Sequence, residues 1–339
     1  MNQSMRRQFL TIVFAFGFII TIIISYRIRY ILITTLIGVS FGILLYPALA
    51  FLRNRYQIPK SLSAIIFLFF LSSMVLAIGY GIYALISGQI DLLVTRAPDI
   101  LAGIKAELEY TIPHDSWLYH QIEIVDWGAV AKSSFSTLFK GVQTTLTILA
   151  NIIIIFAICI YTAVNLDLYS RGILSLFPAP LRPRAQEIMS QSAHALRSWF
   201  KSQIIVITIT GTLVTLSLWI LSIEYWLLIG FLTAIFGFIP YLGAFFTGTL
   251  AILITLGTQP DLVFWVFFVY IGIQQLEANL TIPLVMRGGA DLPEVHLMVL
   301  MLIMGSLFGL VGIFISPPLL AVTRSVYLMT YVQRMNRAR

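Results

Sequence analysis

The sequence predicts an all-α polytopic membrane protein with about eight membrane-embedded segments. Six are full helical spans; two, in the C-terminal half, are hydrophobic hairpins broken by glycine and proline that can re-enter the side they leave. Three observations carry this. Of 339 residues, 59% are hydrophobic and only 10% charged, where a soluble domain carries about 25% charged residues. Mean hydropathy is +0.94, and apolar runs recur from end to end at the length needed to cross about 30 Å of hydrocarbon at roughly 1.5 Å per residue. The runs 148–164 and 262–273 are almost unbroken, whereas barrel strands alternate apolar and polar residues over about ten positions. A β-barrel and a soluble fold are both excluded.

The candidate spans are 8–26, 29–51, 61–87, 142–165, 202–223 and 261–279. The first apolar stretch is too long for a signal-peptide core and lacks a small-residue cleavage site, so it is expected to stay as a membrane anchor. Arg6 and Arg7 precede the first span. Arg53, Arg55 and Lys60 follow the second, and Arg171, Arg182, Arg184, Arg197 and Lys201 follow the fourth. By the positive-inside rule these regions are cytoplasmic, and Arg324, Arg334, Arg337 and Arg339 place the C-terminus on the same side. Arg27, Arg29, Arg96, Lys105, Lys132 and Lys140 form a sparser outer set. The expected location is the bacterial inner membrane with both termini cytoplasmic. The net charge of +7 is spread beside the spans, which argues against a nucleic-acid footprint. Cys159 is the only cysteine, so no intrachain disulfide or zinc cluster can form.

Two stretches separate the spans. Residues 88–140 carry Asp91, Asp99, Glu107, Glu109, Asp115, Glu123 and Asp126 among apolar residues at near-helical spacing, the pattern of amphipathic helices lying on the outer face. Residues 166–201 are basic, punctuated by Pro178, Pro180 and Pro183, and read as a cytoplasmic amphipathic linker. The expected organisation is a scaffold over 1–165, that linker, a transport region over 202–333, and a tail over 334–339.

The last third holds the interruptions. In 225–257, Phe236-Gly237-Phe238-Ile239-Pro240-Tyr241-Leu242-Gly243 cuts an apolar stretch in half, and proline removes a helical hydrogen bond there. In 295–333, Phe308-Gly309-Leu310-Val311-Gly312 is followed by Ser316-Pro317-Pro318, which is expected to break the second stretch. Each broken stretch follows a full span, the order of an inverted repeat with two re-entrant hairpins. Interrupted pairs in corresponding positions point to a transporter's binding site.

The most polar intramembrane patch is Gln274-Gln275-Leu276-Glu277-Ala278-Asn279. Amides and a carboxylate are costly in lipid without partners or water. At about 100° per residue, Gln275 and Asn279 share one face and Gln274 and Glu277 lie on another. One pair can line a pathway while the other joins helices, and Glu277 can instead cap a helix or pair with Arg287. Pro240, Tyr241 and Gly243 can present broken helix ends to a solute, or simply kink the chain. The same alternatives hold for Ser316 and Pro317. Arg287 and Asp291 are candidates for a gate or a coupling site, or for a solvated loop. Asp167 and Glu224 read as headgroup contacts, and His194 and His296 have no metal-ligand neighbours at suitable spacing. No HExxH, GxSxG or Walker A pattern is present, so no enzyme activity and no cofactor are expected. The partners expected are a small polar solute, a proton or sodium ion, and lipid.

The C-terminal region resembles the autoinducer-2 exporter (AI-2E) family of bacterial membrane proteins. The resemblance rests on FGFIPYLGAFFTG, YIGIQQLEANLTIPLVMRGGADLP and GSLFGLVGIFISPPLLAV, most specifically on Gln274, Glu277 and Pro283 in Q-x-x-E-x-x-x-x-x-P spacing. It extends more weakly over the whole chain. The resemblance implies eight membrane-embedded regions, homo-oligomers, and one of two activities: export of the quorum-sensing signal autoinducer-2, or sodium/proton antiport. The sequence departs from the common pattern at Gly305-Ser306 and at Ser316-Pro317-Pro318, which bears on substrate more than on fold.

Overall fold

The computed structural model describes residues 27–113, 116, 145–240, 242–286 and 292–332. The candidate span 8–26, most of the acidic stretch after 113 and the tail 334–339 lie outside the described residues. Within them every regular element is helical. The helices are α1 (Arg29–Tyr56), α2 (Lys60–Thr111), α3 (Thr145–Ser175), α4 (Arg182–Ile220), α5 (Trp226–Phe236), α6 (Leu242–Thr258), α7 (Val263–Leu276), α8 (Ile282–Met286), α9 (Glu294–Phe308) and α10 (Leu310–Tyr327). A π-helical turn, Glu277–Thr281, joins α7 to α8. Among the described residues six stretches are long and apolar enough to cross a membrane, and α5, α6 and α9 are shorter apolar helices. The chain is an all-α polytopic membrane protein.

Local chemistry explains the boundaries. α1 stops at Gln57, which takes a left-handed φ of 51°, and Pro59 then caps the start of α2. α3 kinks at Asn165 (φ −115°, ψ 21°), where the side-chain amide donates to the Tyr161 carbonyl. Pro183 sits in the first turn of α4, where a missing N–H costs little.

Two sequence expectations are corrected. The span 61–87 and residues 88–111 of the amphipathic stretch are one helix: α2 runs for 52 residues, about 78 Å. Its second half is held by packing, with Ile86, Ile100 and Ile104 buried in the same core as α5, α6 and α7. Pro98 is accommodated inside it. The linker 166–201 is divided: residues 166–175 extend α3, and residues 182–201 are continuous with the following span in α4.

Contacts divide the chain into two compact units that cut across sequence order. One comprises 1–57, 150–193 and 292–339; the other comprises 58–149 and 194–291. The two broken hairpins therefore fall in different units rather than in one region over 202–333. In the first unit α9 and α10 pack on each other and on α1, with Ile33, Ile37 and Ile315 buried together. In the second, α6 packs against α2, α5 and α7.

A further correction concerns the hairpin over 295–333. It does break, but at Gly309 (φ 65°, ψ −149°), not at Pro317 and Pro318, which are buried inside continuous α10. That backbone region is essentially open to glycine alone, whereas proline's fixed φ is helical. Ser316 supports the proline-containing turn: its hydroxyl donates to the Gly312 carbonyl at 2.7 Å. Hydroxyls of this kind let membrane helices tolerate proline. Gly309→Ala should lower stability by about 1–3 kcal/mol, read as a lower unfolding midpoint of the detergent-purified protein, because no neighbour lies within 4 Å to complicate the backbone effect.

Candidate functional site

The second unit contains a small polar cavity beneath the break between α5 and α6. Thr210 of α4, Thr233 of α5, Gly237 and Pro240 of the break, Gln274 of α7 and Glu277 of the π turn line it, and its volume is about 20 Å³. α5 has 11 residues and α6 has 17, roughly 16 and 26 Å long, so each arm is shorter than the hydrocarbon thickness of about 30 Å.

The break is built from local bonds. The Gly237 N–H donates to Thr233 O at 2.8 Å, Ile239 N–H to Phe236 O at 2.9 Å and Leu242 N–H to Pro240 O at 2.8 Å. The Gln203 side chain on α4 donates to the Gly237 carbonyl at 2.8 Å, so the end of α5 is held by the neighbouring helix. Thr233 contacts the Tyr270 hydroxyl at 3.2 Å, linking the hairpin to α7 just beside the cavity.

Glu277 is the carboxylate of the cavity. The Thr210 hydroxyl donates to its Oε2 at 2.6 Å, a charge-assisted length. The span carrying Glu277 extends over Pro260–Val285, beyond the expected end at 279, so Glu277 sits well inside it rather than at its inner end. The π turn has a sequence cause. Pro283 lacks an N–H, which removes a regular helical bond at this turn, and single π turns within α-helices frequently mark functional sites. Gln274 and Glu277, three residues apart, both line the cavity, as i, i+3 neighbours on one helix face can.

The expected site residues separate into groups. Gln274, Glu277 and Pro240 share the cavity. Gln275 and Asn279 do not; both are exposed, and the Asn279 amide donates to the Gln275 carbonyl at 2.9 Å and to its side-chain oxygen at 3.0 Å. Gly243 is buried just after the break, where a Cβ would run into the Phe236 carbonyl group, so its part is close backbone packing. Ser316 and Pro317 are buried in α10 of the other unit. Tyr241, Arg287 and Asp291 lie outside the described residues, and with them the alternative pairing of Glu277 with Arg287. Glu224 pairs with Arg96, and Asp167 accepts a hydrogen bond from the Tyr46 hydroxyl at 3.1 Å. Among the described residues no group of three or more His, Cys, Asp or Glu side chains could hold a metal ion.

Sequence reasoning missed Thr210 and Gln203. They stand seven residues apart on α4, two turns along one face, and that spacing was the available signal. It was masked because the span is rich in threonine. Thr208 and Thr215 bond only their own helix, to Ile204 O and Gly211 O, while Thr210 reaches across to α7.

The N-terminal end of α5, away from the break, is anchored separately. The Leu228 N–H, one of the otherwise unsatisfied donors at the start of α5, donates to the Gln89 side chain of α2 at 2.8 Å. The Arg96–Glu224 pair lies beside it. The hairpin is thus fastened to α2 at the start of α5 and to α4 and α7 near its tip.

The sequence model for the AI-2E family transporter matches residues 9–331. Similar proteins include YueF of Bacillus subtilis, 24% identical over 289 residues that cover 80% of this chain and 77% of that protein. YrrI of the same organism is 24% identical over 304 residues, covering 88% and 86%. A protein of Borreliella burgdorferi is 22% identical over 296 residues, covering 86% and 79%. The names of all three refer to transport and to no substrate. With a membrane-embedded helical fold and a family match over nearly its whole length, the chain belongs to the AI-2E family of transporters.

Proposed function

We propose that this protein is a gradient-driven secondary transporter that exports a small polar organic solute such as autoinducer-2, with Glu277 holding the proton or cation that couples the movement. The supporting observation is the Glu277 carboxylate, bonded by Thr210 and enclosed with Gln274 under the broken end of α5. A carboxylate within a membrane helix is costly unless a partner, a proton or a cation offsets its charge. Broken helix ends supply backbone dipoles that suit ions and polar solutes. In this reading the tip of the α5–α6 hairpin moves during alternating access, Gln274 contacts the solute, and Gln275 and Asn279 join helices.

Cation/proton antiport is a second reading, favoured by the size of the cavity. About 20 Å³ accommodates one water or one small cation rather than an organic solute. Inverted vesicles separate the two. Sodium-dependent recovery of a quenched pH dye, abolished by Glu277→Gln, would favour antiport. Solute flux that is lost in Glu277→Gln, without any cation response, would favour export. If Glu277→Gln and Gln274→Ala both leave every flux intact, the site assignment fails.

A further inference from the structure

We propose that the first unit holds an anionic glycerophospholipid, one acyl chain lying in a trough along α3 and the phosphate at the trough's arginine end. The trough has a volume of about 920 Å³. Its wall on α3 runs from Ala157 to Ile173, roughly 24 Å of helix, while one leaflet of hydrocarbon is only about 15 Å deep. Ile43 of α1 and Met189 of α4 close its sides. Among the described residues the polar side chains facing it are hydroxyls such as Tyr161 and Tyr169, and no amide or charged side chain lines it. An apolar space of about 920 Å³ fits a hydrocarbon chain, whereas the polar cavity at Glu277 has room for one water or one small cation.

Charge identifies the headgroup. Arg171 stands between the lining residues Ser170 and Gly172, and its Nε donates to the Asp167 carbonyl at 3.2 Å. Arg182 donates through Nε to the carbonyl of Phe177 at 3.1 Å, directly after the lining residue Leu176. It also lies two turns from Met189 on the same face of α4. Both arginines are exposed, and neither pairs with a carboxylate among the described residues. The nearby Asp167 carboxylate accepts from Tyr46 instead. Each guanidinium is fixed by a backbone carbonyl through Nε, which leaves its terminal nitrogens for a phosphate. A neutral headgroup offers less to two such cations, and basic clusters beside membrane helices bind anionic lipid.

The test uses the full chain in nanodiscs of mixed phosphatidylglycerol and phosphatidylcholine, released and weighed by native mass spectrometry. The unaltered protein should retain phosphatidylglycerol in preference to phosphatidylcholine by about tenfold or more. Arg171→Gln combined with Arg182→Gln should abolish that preference while some lipid of either kind is retained. Gly172→Phe should lose retained lipid of both kinds, because a Cβ at Gly172 meets nothing within 4 Å and the ring can obstruct the trough beside Arg171. The proposal is overturned if the unaltered protein shows no headgroup preference, or if Gly172→Phe retains lipid as before. It is equally overturned if Gly172→Phe lowers the subunit number with lipid unchanged, which would make the trough a seat for a second copy. Circular dichroism checks the fold, and should Gly172→Phe not fold, the exposed arginine pair decides alone.

Discussion

Glu277→Gln is expected to reduce coupled flux to the protein-free background while leaving the helices folded. Glutamine keeps the shape of the side chain and an oxygen able to accept the Thr210 hydroxyl, so the 2.6 Å contact survives as a neutral hydrogen bond. The loss in stability should be only about 1 kcal/mol, the difference between charged and neutral hydrogen bonds. What disappears is the charge that a proton or cation would neutralise, and no other carboxylate lines the cavity. Thr210→Val should act in the same direction but less strongly. Removing a hydrogen bond to a charged group is worth about 1.5–3 kcal/mol, so affinity for the coupling ion should shift by at least tenfold while maximal flux persists. Flux in vesicles across a series of ion concentrations separates these effects. Equal losses in the two variants would assign the pair to helix packing rather than to coupling.

The largest effect on stability is expected where α2 meets α6. A Cβ on Gly257 would run into the Ile100 carbonyl, and a Cβ on Gly103 into the Gly257 carbonyl. The two backbones touch without side chains between them, the close approach that small residues permit in membrane helices. Gly257→Leu must push the helices apart and should cost about 3 kcal/mol or more, the upper part of the range for overpacked cores. It would also loosen the adjoining contacts of α2 with the hairpin, the Gln89–Leu228 hydrogen bond and the Arg96–Glu224 pair. The unfolding midpoint in detergent measures the effect. A midpoint within a degree or two of the unaltered protein would contradict this packing.

Much of the fold was readable because the bilayer leaves a chain few choices: backbone polar groups must bond internally, so long apolar runs become helices. The hairpin at Pro240 was readable because Gly237, Pro240 and Gly243 crowd one short apolar stretch, where proline removes a helical hydrogen bond. The hairpin at Gly309 was placed too late in the chain because proline is the louder signal, while the residue that turns the chain is a glycine in a conformation closed to side chains. The helical continuity of α2 and of α4 was hidden by composition. A change from apolar to amphipathic marks a change of surroundings, and a helix can pass through it without ending. In the candidate site, helical spacing divides Gln274 and Glu277 from Gln275 and Asn279, and the first pair lines the cavity while the second is exposed. Thr210 could not be picked out, because a threonine that bonds its own helix and one that reaches across look alike in one dimension.

The central claim is that the broken tip of α5 and the Gln274–Glu277 face form a pathway within the bilayer. Cysteine labelling tests it most directly, in a Cys159→Ala background that removes the chain's only native thiol. Gln274→Cys should react with a hydrophilic, membrane-impermeant thiol reagent from one side of the membrane, and from the other side when the imposed ion gradient is reversed. Phe264→Cys, at a position 74% exposed on the apolar surface of α7, should react from neither. A Gln274→Cys protein that stays unlabelled from both sides under every gradient would contradict the account.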